Sequence, residues 1–212
     1  MNEYLTVREP VSAETEIKKS LFLTYLYPID SEESAQQYLD ALRKEHYKAT
    51  HHCYAYSVGI ETAAVKCSDD GEPSGTAGKP ILSVIEHRQL RNIMIVVIRY
   101  FGGIKLGTGG LTRAYSQCAS EAVAKAMQIR KVLCNRVEFI TDYSFYGKLH
   151  PYLMEQGCLI DKQDFLSDIT LEVLIPKTNC DSVMNEVINL SNGICVGKKY
   201  GETFTEMRKD ED

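Results

Sequence analysis

The sequence predicts an α+β protein of two domains, residues 1–131 and 132–212, each folding strands and helices around its own sheet. Three observations predict it. Residues 92–98 form a largely β-branched apolar block, the pattern of a strand buried on both faces. A glycine-rich turn follows, and after it Leu111, Tyr115, Cys118, Ala122 and Ala126 recur at helical spacing. From residues 131–135 a fresh cycle begins in the order β-α-β-β-α-β, the split arrangement of ferredoxin-like domains. For the first domain, α/β packing on one sheet face is the neighbouring alternative.

Taken in order, residues 4–8 and 14–28 read as antiparallel strands, with Ile17, Leu21, Leu23, Tyr25 and Tyr27 as their apolar positions. Ser31 caps the next helix. Glu32 and Glu33 suit the positive end of its dipole, and Ala35, Tyr38, Leu39, Leu42 and His46 form one face, although the third residue on is Ser34 and not Glu. Strands follow at 53–60 and 63–67. Residues 68–80 hold three carboxylates and three glycines, which is loop material. The loop leads into a helix over 79–88, with Pro80 in its first turn and Ile81, Leu82 and Ile85 as its apolar stripe. The buried strand spans 92–99, and the long helix runs to Met127. In the second domain come a strand at 137–141, a helix at 144–156 ended by Gly157, and strands at 158–165 and 169–175, the second stopped by Pro176. A helix at 179–191, the turn Asn192-Gly193, a strand at 194–206 and an acidic tail complete the chain.

Composition narrows the function. With 25% charged residues, the chain is of ordinary globular make-up. It opens without a basic leader, and its longest aliphatic block is far too short to span a bilayer, so the expected location is cytoplasmic, with no membrane partner. Seven cysteines without a C-x-x-C pair suit reduced thiols in cores better than disulfides or zinc. The net charge of −5 argues against a polyanionic partner until its distribution is read. Residues 1–130 carry fifteen basic and fifteen acidic side chains, and 131–212 carry nine and fourteen. Between residues 87 and 120 stand Arg88, Arg91, Arg99, Lys105 and Arg113 with no carboxylate, a locally basic stretch able to attract phosphate.

The stretch Arg99 to Arg113, RYFGGIKLGTGGLTR, lies at that centre. Its glycines, Gly102, Gly103, Gly107, Gly109 and Gly110, allow positive φ or close backbone approach. A strand-to-helix turn also offers unpaired N–H groups to an anion. It is neither a P-loop nor a Rossmann turn: Thr108 stands where the P-loop lysine belongs, and no acidic residue follows at the dinucleotide spacing. Two readings stay open, an anion-binding turn and a turn whose glycines only allow close strand–helix packing. Tyr100 and Phe101 either stack on bases or flank the turn as core aromatics.

The loop bearing Asp69, Asp70, Gly71, Glu72, Pro73, Ser74 and Gly75 has three readings. Its acids hold a metal or act as acid and base, or they bond backbone amides within a solvated loop, or they accept Arg99 or Arg113 and tie the two loops together. If His51 and His52 lie on the strand leading to Cys53, they point to opposite faces and cannot share a metal, so at most one faces the loops. His52 could pair with Asp69 or Asp70. Cys53 reads as a buried, inert thiol.

The blocks HHCYAY from His51, SDDGEPSGTAGKPIL from Ser68 and RYFGGIKLGTGGLTRAYS from Arg99 resemble those of the YigZ/IMPACT family, over most of residues 15–130. Beyond about 135 the layout is similar to the C-terminal domain of bacterial members. The resemblance implies an N-terminal domain folded like the second domain of a ribosomal small-subunit protein and domain four of elongation factor G. It also implies a ferredoxin-like C-terminal domain resembling the last domain of that factor. Eukaryotic members are implicated in translation control under amino-acid starvation, through protein partners. In the block KKSLF, Leu21 stands where many relatives place a basic residue.

The expectation is therefore a non-catalytic RNA- or ribosome-binding regulator of translation, without metal or other cofactor, and with protein partners in translation control as a further class. Arg99, Tyr100, Phe101, Lys105, Thr108 and Arg113 with the turn glycines would contact nucleic acid, and His52 with the acidic loop would shape the site. The alternative is a small hydrolase or transferase using the acidic loop and His52.

Overall fold

The structure, a computed structural model, describes residues 1–207. The acidic tail expected after the last strand lies outside the described residues. The chain forms two units, Met1 with Glu3–Ile129, and Asn2 with the residues from Arg130 on.

The first unit contains β1 (Glu3–Val7), β2 (Val11–Ile17), β3 (Ser20–Pro28), α1 (Glu32–Glu45), β4 (His51–Val58), β5 (Ala64–Ser68), α2 (Gly78–His87), β6 (Ile93–Tyr100) and α3 (Thr108–Lys125). Five strands make a sheet in the order β2-β3-β6-β4-β5, antiparallel at every pairing. The α/β alternative is thereby set aside, and the unit is α+β. β6 sits in the middle because it is apolar on both sides. Its Ile93, Ile95 and Val97 face one core with α2 and α3, and its Met94, Val96 and Ile98 face a second core with α1. β4 divides the same way, Cys53 and Ala55 to the first core and Tyr54, Tyr56 and Val58 to the second.

Local chemistry sets the boundaries. The Ser31 hydroxyl accepts the Ser34 amide at 3.1 Å, and the Ser34 hydroxyl reaches back to the Ser31 amide at 3.3 Å, so serine closes the capping box in place of glutamate. The expected strand over 14–28 is a hairpin instead. Ile17 pairs with Ser20, and the two residues between them, Lys18 and Lys19, take φ of 47° and 63°. No Gly or Asn marks this turn, which is why it escapes a reading of turn signals.

In the second unit β7 (Gln128–Thr141), α4 (Tyr143–Glu155), β8 (Leu159–Phe165), β9 (Ile169–Pro176), α5 (Cys180–Leu190) and β10 (Lys198–Glu206) follow the expected β-α-β-β-α-β order. Four antiparallel strands run β8-β9-β7-β10. Val137, Phe139, Leu171 and Val173 bury one sheet face with Leu149, Leu153, Val183 and Val187 of the two helices. Two boundaries differ from expectation. β7 begins at Gln128 and not at 137, because backbone pairing of Lys131–Glu138 with β10 carries a stretch whose Arg130, Lys131, Asn135 and Arg136 hide its alternation. β10 begins at Lys198 and not at 194. The Ser191 hydroxyl holds the Cys195 amide at 3.0 Å, and a Cβ on Gly197 would sit 2.6 Å from the Phe139 ring, so these residues turn the chain tightly before the strand starts.

Candidate functional site

The starts of β3 and β4, the end of β6 and the loop before α2 meet at one end of the first unit's sheet. His51 of β4 lies opposite Arg99 of β6, and Leu21 of β3 lies opposite Tyr100. This register brings together the acidic and glycine-rich stretches, far apart in sequence.

Their centre is a buried polar network. Arg99, 4% exposed, donates to the Glu72 carboxylate at 2.7 Å and to the Ser20 hydroxyl at 3.2 Å. Glu72, 9% exposed, also accepts the Tyr115 hydroxyl at 2.8 Å, and its other oxygen lies 3.8 Å from His51 Nε2. The Arg99 guanidinium lies over the rings of Phe22 and Phe101, at 5.5 and 5.4 Å. Arg99 is therefore no phosphate ligand. It ties the acidic loop to β6, one of the three readings of that loop. A buried guanidinium without such partners is strongly unfavourable, so the pair is needed wherever Arg99 is buried.

The other acids have equally definite partners. Asp69 accepts the amides of Ala77 and Gly78 on one oxygen and of Gly75 on the other, at 2.8–2.9 Å, which places a carboxylate at the N-terminus of α2. Burial pushes its carboxyl up, but the three amides together outweigh that and hold it below the usual range. Asp70, at φ 42°, accepts the His52 amide at 2.7 Å and pairs with Arg43 at 3.2 Å. The Pro73 carbonyl takes the Thr76 amide, Gly71 and Gly75 supply positive φ, and Ser74 is exposed. All three carboxylates are thus engaged in shaping the loop.

His51 and His52 do face opposite ways. The His51 ring bonds the Asp70 carbonyl at 2.8 Å on the loop side. His52 lies 3.8 Å from the Asp70 carboxylate, and burial holds its imidazole below the ordinary range although that carboxylate acts the other way. Cys53 donates to the Asp69 carbonyl at 3.0 Å, and burial pushes its thiol up to about 12, so it stays protonated and unreactive.

The glycine stretch divides in two. A Cβ on Gly102 would land 1.8 Å from the Lys19 carbonyl, so this glycine serves close contact with the β2–β3 turn. Gly103 and Gly107 take φ of 85° and 73° with open space around them. Beyond them α3 starts at Thr108 with no side-chain cap, and Gly109 and Gly110 complete its first turn. Lys105, Thr108 and Arg113 are exposed. Tyr100 is half-buried, its hydroxyl 3.0 Å from His46 Nδ1, whereas Phe101 is 47% exposed. Lys105, Arg113, Phe101 and the amides of the first turn of α3 remain as the outward-facing set.

Ser20, Arg43, His51 and Tyr115 also belong to the site: Ser20, His51 and Tyr115 stand in the quoted sequence blocks without a sign of these contacts, and Arg43 stands outside them. The helical spacing of Tyr115 marks it as core, and only its hydroxyl hints at a buried partner. The choice of His51 over His52 for the loop side needs the strand register.

Comparison with known proteins places these motifs. The Impact N-terminal domain family matches residues 18–123, and a domain of unknown function (DUF1949) matches residues 139–193. The chain is 36% identical over 206 residues to the IMPACT family member YvyE of Bacillus subtilis (strain 168), covering 97% of this chain and 95% of that protein. It is 33% identical over 195 residues to the IMPACT family member YigZ of Escherichia coli (strain K12), covering 91% and 96%. Protein IMPACT of Homo sapiens is 36% identical over 95 residues, 42% of this chain and 29% of that protein. A solved structure described as the crystal structure of a hypothetical protein matches with a TM-score of 0.64 at 32% identity, covering 95% of this chain and 98% of that one. Both motif loops fall inside the matched N-terminal region, and the bacterial relatives match across both units: the chain belongs to the IMPACT family.

Proposed function

We propose that this protein is a non-catalytic RNA- or ribosome-binding regulator of translation that contacts phosphate through the glycine stretch before α3. In this reading residues 1–131 form the binding domain and residues 132–212 a second domain akin to the last domain of elongation factor G. The observation that carries it is the uncapped, exposed start of α3 with Lys105 and Arg113 beside it, in a stretch from 87 to 120 that holds no carboxylate. Anions are favoured at such a helix end, and lysine and arginine supply the compensating charge. Arg99 and the acidic loop act beneath as the buttress that fixes the end of β6. The hydrolase or transferase alternative needs acids free to move protons or bind metal, and Asp69, Asp70 and Glu72 are held by amides and by Arg43 and Arg99.

The test is binding to ribosomal subunits and to generic RNA across a salt series, for the wild type and for Lys105→Ala with Arg113→Ala. Affinity is expected to fall steeply with salt, and the double variant to reduce the log–log slope by about 1–2. Salt-independent or absent binding would sink the reading, and metal-dependent turnover lost in Asp70→Asn would favour the enzyme.

A further inference from the structure

Two loops flank Phe101 at the same end of the sheet. On one side is the β2–β3 turn, where the Lys19 carbonyl lies against Gly102, so the exposed Lys18 and Lys19 adjoin the glycine stretch. On the other is the loop between α1 and β4. Its Thr50 amide donates to the Arg99 carbonyl at 2.9 Å and its hydroxyl accepts the Phe101 amide at 3.2 Å. Three residues earlier, within about 11 Å along the chain, stands Tyr47, 73% exposed, with Lys48 Nζ 5.5 Å from its ring centroid. Phe101 thus projects between two lysine-bearing loops, and an exposed tyrosine stands on one of them.

Phe101 is held firmly for so exposed a side chain. The guanidinium of Arg99 lies over its ring, Arg99 is anchored by Glu72, and the Phe101 amide is bonded to Thr50. Its exposed area is a fixed apolar surface. Of the carboxylates nearby, Asp70 is paired with Arg43 at 3.2 Å, and Glu45 points into solvent 3.6 Å from His46. A fixed aromatic and an exposed one interleaved with lysines suit a strand of unpaired nucleotides: every base has a face that can stack, lysine neutralises phosphate without demanding a fixed geometry, and a duplex keeps its base faces covered.

We infer that this end of the sheet binds unpaired, single-stranded nucleic acid, with bases stacked on Phe101 and Tyr47 and phosphates held by Lys18, Lys19, Lys48 and Lys105. The inference rests on the nucleic-acid reading above and narrows its ligand from RNA in general to unstacked strands. Ribose and deoxyribose strands share the chemistry recognised, bases plus phosphodiester.

The test uses fluorescence anisotropy with a labelled twelve-nucleotide single-stranded RNA, the same sequence as DNA, and the RNA as a duplex. The proteins are the full-length wild type, Phe101→Ala with Tyr47→Ala, Phe101→Tyr, and Lys18→Ala with Lys19→Ala, each checked for an unchanged melting temperature. The single strand is expected to bind at least tenfold more tightly than the duplex. Removing both aromatics should weaken single-strand binding tenfold or more with the salt slope unchanged, and Phe101→Tyr should retain affinity. The lysine pair should lower the slope by about 1.4. Equal affinity for the RNA and DNA strands supports recognition of the shared chemistry, and tighter RNA binding adds a contact to the 2′-hydroxyl. Duplex binding as tight as single-strand binding, with both aromatics dispensable, overturns the inference and leaves the broader nucleic-acid reading standing. Absence of binding to every probe at 50 mM salt overturns the inference, and the ribosomal-subunit series above then decides the broader reading.

Discussion

Arg99 and Glu72, both almost fully buried, form a 2.7 Å ion pair that joins the end of β6 to the loop leading into α2. Removing one partner strands the other charge in the interior. Glu72→Ala or Arg99→Met is expected to cost about 3–5 kcal/mol. In urea unfolding this appears as a lower midpoint at an unchanged slope. Arg99→Met combined with Glu72→Ala should cost clearly less than the two single losses added together, since the double variant leaves no unpaired charge. Additivity to within about 0.5 kcal/mol would mean the pair is not coupled.

Asp69 gives an acid-side prediction. Three amides hold its carboxyl below the usual range against the opposing effect of burial, so the native state binds fewer protons there than the unfolded chain. Its stabilisation is complete above the unfolded aspartate value near about 4 and is lost as pH falls through the depressed native value. Asp69→Ala, which strips the N-terminus of α2, should cost about 1–2 kcal/mol at pH 7. The gap between variant and wild type should narrow steadily below pH about 4. A gap independent of pH would assign the loss to packing and not to charge.

The glycines of one motif should respond in opposite ways. A Cβ on Gly102 meets the Lys19 backbone at 1.8 Å, and neither strand end can yield without breaking the Leu21–Tyr100 pairing. Gly102→Ala is expected to lower stability by more than about 3 kcal/mol. A Cβ on Gly109 meets only the end of Arg113 at 3.9 Å, in the first turn of α3. Gly109→Ala should lie within about 1 kcal/mol of wild type, with a gain the expected direction. Thermal melts of the two variants decide it. Equal losses would show that the motif glycines act alike.

What the sequence discloses and what it hides follow from the range of each interaction. β6 is legible because both of its faces are apolar, and α1 and α3 because their periodicity is local. The Lys18-Lys19 turn is hidden because its residues resist the conformation they adopt, and the fold around them imposes it. The exposed start of α3, without a side-chain cap, could be read from glycines between a strand and a helix. The burial of Arg99 could not, since its partners Ser20 and Glu72 are distant in the chain and only sheet register brings them near. Arginine in a glycine motif looks like a ligand until its neighbours are known.

The Lys18-Lys19 turn separates stability from binding. A two-residue hairpin turn with both φ positive favours Asn-Gly, and a side chain held in the left-handed region costs about 1 kcal/mol per residue. The contact of the Lys19 carbonyl with Gly102 fixes the turn in place, so the backbone cannot relax that strain. Lys18→Asn with Lys19→Gly is therefore expected to stabilise the protein by about 1–2 kcal/mol. The same change removes two cations from the surface beside Phe101, so affinity for single-stranded RNA should fall and its salt slope should drop by about 1.4. Damage to the fold would lower both quantities together, and a neutral turn would move neither. A rise in melting temperature with weaker, less salt-sensitive binding can arise only if the turn carries lysines for a ligand at the expense of its own conformation. Unchanged binding in the stabilised variant would remove the lysines from the interface.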